Sequence, residues 1–475
     1  MNYREFRIGF LPVMADLYNR LVPELREKLG DFTQQLKLDL QNETLEFITA
    51  PVSCTENEIR TACEKLERQQ VDLLVLGMVS YTPSGQILPA LLATKLPLIV
   101  WPAQPMLELF PEKYDFNVVL MNHGMHGAQD LANMLRRKGR AHGMLHGHHK
   151  QNELPKELFE WARAGKLLQS MRLCNPCFIG GHFEDMLDLQ LENEKFIAEL
   201  DVVPKEIDIE QFIQVAKNIP EQQIKDKMCD YRERYIIDAS LSGSLLAKAA
   251  RHELALRELL EQYDSTAVGI NFMSLCNNTE IADALHLAAC SLMADGIGYA
   301  GEGDWVTAML LRGMFSAGYI ASFSEQFSVG YKDNRLVLRH WGEGNPQLAR
   351  SKPLLKASTF SDQQKADFVV MDFEFRPGLV TLINLNTTVE GNGQIVSIPG
   401  STEETHLPAV DGPRAVFKPM AADVRELLDC YAAAGGSHHM VLVVGDCTDM
   451  LKKTAKLTGW SYLNLEQACR EQATI

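Results

Sequence analysis

Val71-Asp-Leu-Leu-Val-Leu-Gly77 is apolar at nearly every position. A strand covered on both faces reads this way, because neither face meets water. On its N-terminal side, Arg7-Ile-Gly-Phe-Leu-Pro12 and residues 45–50 have the same character. On its C-terminal side, Pro97-Leu-Ile-Val-Trp101 repeats it. Helical patterns separate these runs. Residues 15–29 read as one amphipathic helix, Thr55-Glu-Asn-Glu58 opens another with a capping hydroxyl, and residues 129–137 form a third. This alternation predicts a Rossmann-like, doubly wound α/β domain with its site at the carboxyl ends of the strands.

The polar stretch Lys150-Gln-Asn-Glu-Leu-Pro-Lys156 marks the first boundary. A second Rossmann-like α/β region follows. It has helical patterns over residues 245–263 and 280–293, with the strand Ala267-Val-Gly-Ile-Asn-Phe272 between them. The texture changes after about residue 320. Arg335-Leu-Val-Leu-Arg339, Phe368-Val-Val-Met371 and Leu379-Val-Thr-Leu-Ile383 are short β-like runs separated by Gly, Pro, Asn and Asp. They predict a mostly antiparallel β-barrel. Helices return near residues 421–433 and 451–457. The expected domains are residues 1–152, 153–318 and 319–475, a division in keeping with 475 residues. The last domain is β-rich and completes the site.

Composition narrows the function. Apolar content of 46% and charged content of 23% describe a globular protein. There is no apolar run of about 18 residues, so no membrane span is expected. The start, Met1-Asn-Tyr-Arg-Glu-Phe-Arg-Ile, lacks the apolar core of a signal peptide. The net charge of −16 argues against nucleic acid as partner. The ten cysteines are scattered through apolar segments, which is cytoplasmic usage as small buried hydrophobes. Cys174-Asn-Pro-Cys177 has no second pair at zinc spacing and reads as packing.

The chemistry concentrates late in the chain. Tyr299-Ala-Gly-Glu-Gly-Asp-Trp305 sets Glu302 between two glycines, directly before an apolar helical run. A solubilising surface acid needs no such frame; a metal ligand or a base does. Flexible backbone is expected there, with Asp304 capping the helix. Glu325 ends Tyr319-Ile-Ala-Ser-Phe-Ser-Glu325, His340 ends a β-like run, and His438 and His439 follow Gly435-Gly-Ser437. Each stands at the end of a regular element, where side chains from separate elements can converge. Two carboxylates with two imidazoles suit a divalent cation such as Mn²⁺. Adjacent residues of a strand face opposite ways, so at most one of the two neighbouring histidines is expected as a ligand.

Two patterns are decoys. Gly296-Ile-Gly-Tyr-Ala-Gly301 matches GxGxxG, but the segment before it is helical, whereas a dinucleotide site needs a strand there. An NAD-linked dehydrogenase is therefore disfavoured. Arg140-Ala-His-Gly-Met-Leu-His-Gly-His-His149 is His-rich, but it begins as a strand and its histidines line that strand's end.

These residues resemble a known family. Ala-Gly-Glu-Gly-Asp-Trp with Thr307-Ala-Met-Leu-Leu-Arg312, and Ala434-Gly-Gly-Ser-His-His439, are similar to signatures of L-arabinose isomerase. Ser322-Phe-Ser-Glu325 and the placement of His340 agree, and Glu325 sets the chain apart from L-fucose isomerase, which has Asp there. The resemblance implies a metal-dependent aldose–ketose isomerase, an intramolecular oxidoreductase of carbohydrate metabolism. Glu302, Glu325, His340 and His439 would hold Mn²⁺ or Co²⁺, and Glu302 and Glu325 would move protons through an enediol. His126, in Met121-Asn-His-Gly-Met-His-Gly127, and His438 would orient the sugar, while Phe183 and Phe272 would wall the pocket. The resemblance also implies a trimer-based homo-oligomer, a trimer or hexamer.

The chain departs from the family in two places. The loop after the first strand reads Phe10-Leu-Pro-Val-Met-Ala-Asp-Leu-Tyr18 and lacks the Gln that contacts substrate. Gly344-Asn-Pro-Gln-Leu-Ala-Arg-Ser-Lys352 stands where a Gly-rich loop with paired acids is expected. The departures motivate an alternative reading, a non-catalytic sugar-binding homologue.

Overall fold

Residues 71–77 lead into the central strand of a parallel sheet. The computed structural model describes residues 5–108, 115–190, 194–359, 367–404, 407 and 411–472. It divides into two compact units, Met1–Gln169 with Asp449–Trp460, and Ser170–Thr448 with Ser461–Ile475.

The first unit holds β1 (Phe6–Val13), β2 (Leu45–Thr49), β3 (Leu73–Met78), β4 (Leu98–Trp101) and β5 (Gly143–Met144). They pair in the order β2-β1-β3-β4-β5, all parallel. Every residue of β3 and β4 is buried, as their continuous apolar sequences require. Helix residues such as Ile59, Leu66, Leu131 and Leu135 complete one core with Leu74 and Val100. The Thr55 capping box is present, with Thr55 accepting from Glu58 N. The single helix expected over 15–29 is two helices, Asp16–Leu21 and Glu24–Leu40. Val22 leaves the helical region at φ −138°, as the residue before Pro23 is biased to do.

In the second unit, β6 (Cys177–Ile179), β7 (Lys205–Ile207), β8 (Ile236–Ile237), β9 (Ala267–Ile270) and β10 (Gly298–Gly301) come first. Four of them form a parallel sheet in the order β10-β9-β6-β7. The strand expected through Phe272 stops at Ile270. Asn271 turns the chain by accepting from Ser274 N, and Phe272 opens the helix Phe272–Asn277.

The remaining strands are β11 (Ala321–Gly330), β12 (Arg335–Arg339), β13 (Leu354–Ser358), β14 (Phe368–Glu374), β15 (Gly378–Thr387), β16 (Gly393–Glu403), β17 (Pro413–Pro419), β18 (His439–Val444) and β19 (Ser461–Asn464). Six of them close an antiparallel barrel in the order β16-β15-β18-β11-β12-β17, with β17 returning to β16. Closure removes free edges from these strands. In this register Glu325 of β11 lies opposite His439 of β18 on one side and Arg339 of β12, next to His340, on the other.

Candidate metal centre

β10 is buried along its length and ends at Gly301, where the chain turns sharply. Glu302 has φ +60° and Gly303 φ +79°. A non-glycine residue in that region is strained by roughly 1–3 kcal/mol and persists only where its surroundings hold it. Here they do. The Glu302 carbonyl accepts from Phe183 N at 3.1 Å, and Asp304 N donates to Gly301 O at 2.9 Å. A Cβ on Gly303 would stand 2.4 Å from Gly181 O, and one on Gly301 would stand 3.1 Å from His340 Cε1. The two glycines thus make close approach possible; the flexible backbone expected at Glu302 is instead a pinned turn. Asp304 caps the helix Trp305–Ser316 as expected, accepting from Val306 N and Thr307 N.

Glu302, Glu325, His438 and His439 converge, each offering an atom within 4.8 Å of the others. His439 Nε2 lies 3.1 Å from Glu302 Oε2 and 3.3 Å from Glu325 Oε1. His438 Nε2 lies 3.2 Å and 3.8 Å from the same two oxygens. His340 Nε2 stands 3.4 Å from Glu325 Oε1 and 3.8 Å from Glu302 Oε1. It is buried and makes no hydrogen bond. Both adjacent histidines therefore turn Nε2 toward the acids. Strand alternation does not apply to the pair, because His438 precedes the first residue of β18.

Each imidazole has a second acid on its other nitrogen. His340 Nδ1 pairs with Glu343 Oε2 at 2.7 Å, His439 Nδ1 with Asp304 Oδ2 at 2.9 Å, and His438 Nδ1 with Asp188 Oδ2 at 2.7 Å. Glu343 is fully buried, and Tyr299 Oη (2.6 Å) and Gly342 N (2.8 Å) also donate to it. Such outer carboxylates fix the tautomer and orientation of a ligating ring. The sequence reading missed Glu343 and Asp188, and took Asp304 for a cap alone.

The charges are tightly coupled. Burial opposes ionisation of Glu302, but the imidazoles of His340, His438 and His439 outweigh it and hold the carboxyl far below the usual carboxylate range. Burial pulls His340 down, yet Glu343, Glu302 and Glu325 push it up to about 10. His439 is also raised, its burial overcome by Asp304, Glu302 and Glu325. The imidazoles favour the charged form of Glu302, and the acids favour positive charge on His340 and His439. Two carboxylates with imidazole nitrogens, one of them a buried nitrogen without a hydrogen bond, fit such a cation.

Phe183 and Phe272 border this centre, with ring centroids 6.3 Å apart and Phe272 5.7 Å from the His340 ring. His126 lies in the first unit, on the helix Met125–Arg137, stacked on Tyr81 at 4.5 Å. The GxGxxG pattern follows the helix His286–Ala294, so it lacks the preceding strand. Among the described residues, the His-rich tract forms no group of three metal-ligating side chains. Cys174 is buried, and burial pushes its thiol up to about 12, which leaves it unreactive.

Three domain models of L-arabinose isomerase together match most of the chain: the N-terminal domain over residues 7–172, the central domain over 193–319 and the C-terminal domain over 320–461. The chain belongs to the L-arabinose isomerase family. It is 27% identical to the L-arabinose isomerase of Nocardioides sp., over 96% of this chain and 92% of that protein. The enzyme of that name from Thermotoga neapolitana is 24% identical, over 98% of this chain and 95% of its own length. That from Geobacillus kaustophilus is 25% identical, over 87% and 85%. Like these relatives, the protein is an aldose–ketose isomerase, and the non-catalytic alternative is not favoured. Membership also accounts for the convergence of acids and imidazoles from β10, β11, β12 and β18. No helix among the described residues is long and apolar enough to cross a membrane.

Proposed function

We propose that Glu302, Glu325, His340 and His439 hold one divalent cation, Mn²⁺ or Co²⁺. The observation that carries this reading is the convergence of three Nε2 atoms on the two carboxylates, with His340 Nε2 buried and unbonded. When bound, the cation supplies Lewis-acid polarisation of the sugar's carbonyl and neighbouring hydroxyl oxygens. One of Glu302 and Glu325 takes the proton from C2 of the open-chain aldose and returns it to C1. The other carries the hydroxyl proton between O2 and O1, so the net change is aldose to ketose. Positioned acid–base groups of this kind typically contribute about 10²–10⁴-fold. Phe183 and Phe272 form the apolar wall that keeps water from the transferring proton. His438 and His126 orient the sugar.

The wider reading follows the family. Both parallel sheets are doubly wound and Rossmann-like, and the domains run over residues 1–152, 153–318 and 319–475. The protein works in the cytoplasm as a trimer or hexamer whose subunits share sites. Its sugar is a small aldose, a pentose, tetrose or 6-deoxyhexose; the stretch from Phe10 to Tyr18, which runs from the end of β1 into the helix Asp16–Leu21, lacks the family's substrate-contacting Gln and bears on the choice.

Two measurements test the proposal. Mn²⁺-loaded protein incubated with a panel of those sugars should form ketose from at least one. Glu302→Gln should keep the fold while losing isomerisation and binding Mn²⁺ more weakly. Full turnover by that variant would refute the role given to Glu302.

A further inference from the structure

The three imidazoles of the centre are held in different ways. His439 begins β18 and is locked into the barrel register opposite Glu325. His340 sits three residues from its own orienting acid, Glu343, and both are buried. His438 has neither support. It precedes the strand, its side chain is 37% exposed, and the loop around it is tied through its neighbours. Tyr431 Oη donates to Ser437 O, and Asn384 Nδ2 donates to Ser437 Oγ and to His439 O. None of those bonds reaches the His438 ring.

Asp188 reaches it from the short helix Leu187–Leu189. One oxygen, Oδ2, accepts both the backbone N–H of His438 at 3.1 Å and its Nδ1–H at 2.7 Å. Two bonds from one residue to one oxygen fix the ring relative to its own backbone. With Nδ1–H committed to the acid, the neutral ring carries its lone pair on Nε2, the nitrogen turned toward Glu302 and Glu325. The segment carrying Asp188 is itself anchored at the centre, because Phe183 N donates to the Glu302 carbonyl five residues earlier. Asp188 and Asp304, the acids behind His438 and His439, also line one cavity of about 250 Å³ with Gln190, Thr307 and Asn386. His438 and His439 thus turn Nε2 inward to the carboxylates and Nδ1 outward to this cavity's acids.

We propose that Asp188 is a positioning residue of the isomerase, acting through His438; this rests on the reading of the cluster as the reaction centre. A surface ion pair with no positioning role would contribute to stability alone, and weakly. The test uses full-length Asp188→Ala, Asp188→Asn and His438→Ala proteins and the Asp188→Ala/His438→Ala double variant. Mn²⁺ affinity of the metal-free proteins is measured by titration calorimetry, and kcat and KM by ketose formation. Loss of an outer-shell partner typically costs about 10–100-fold in metal affinity or activity, and Asp188→Ala should lose that much in kcat/KM at an unchanged melting temperature. Asp188→Asn keeps an acceptor oxygen for both N–H groups and should recover most of the loss. Because Asp188 acts through His438, the double variant should be no worse than His438→Ala. Wild-type values in Asp188→Ala, or losses that multiply in the double variant, would overturn the proposal. Failure of the wild-type protein to bind Mn²⁺ or form ketose would overturn the reaction centre itself, a result distinguishable from either.

Discussion

Substituting Gly303 tests how tightly the Glu302 turn is held. In Gly303→Ala the new Cβ would lie 2.4 Å from the Gly181 carbonyl oxygen, and real Cβ contacts essentially never fall below 3.0 Å. The two loops must therefore part by about 0.6 Å or more, and the obstructing atom is backbone, which no side-chain rotation can clear. Alanine at φ +79° adds about 1–2 kcal/mol of conformational strain, and overpacking of this kind costs about 1–3 kcal/mol. The expected destabilisation is about 2–5 kcal/mol. The loop that moves carries Glu302, and misplacing a catalytic group by about 1 Å can cost about 10²-fold in rate. Gly181→Ala is the matched control: its φ is +72°, and nothing lies within 4 Å of its would-be Cβ. It should show the conformational strain alone. Thermal melts and kcat/KM of both variants decide the matter. If Gly303→Ala matches Gly181→Ala in melting temperature and activity, the argument for a pinned turn is wrong.

Two other outcomes are expected. Glu343→Gln replaces a buried carboxylate that accepts from His340, Tyr299 and Gly342 with an amide that accepts on one side only; Mn²⁺ affinity should fall about 10–100-fold and the melting temperature should drop, both readable in one thermal-shift titration. Asp283 is buried and accepts from His252 Nδ1 at 2.8 Å, and although burial acts upward, that partner and Lys248 hold its carboxyl below 3.8, so its stabilisation is complete above pH 3.8 and is lost as pH falls through the lower folded value. Asp283→Asn should lower the melting temperature at neutral pH and flatten its decline below pH 4; an unchanged acid limb would show that the pair does not govern it.

The parallel strands were legible because burial on both faces leaves a continuous apolar run, and the barrel because turn residues punctuate short β-like segments. Glu302 was legible because two glycines announce a close approach. Elsewhere the sequence was silent or misleading. Pro23 splits a helix whose hydrophobic spacing runs on through it. Phe272 continues an apolar strand pattern, yet the Asn271 cap diverts it into a helix. Strand alternation says nothing of the His438–His439 pair, because His438 stands outside the strand that His439 begins. Glu343 and Asp188 carry no local signal: an acid becomes an orienting group only when folding sets it against an imidazole, and Asp188 is 250 positions from its partner.

The pairing of Glu325 with His439 makes the proposed metal centre a property of strand alignment. Because residues alternate across a strand, inserting or deleting one amino acid in β11 before Glu325 would swing that carboxylate to the opposite face. A change of chain length outside this register therefore leaves Glu325 and His439 facing each other, where barrel closure puts them.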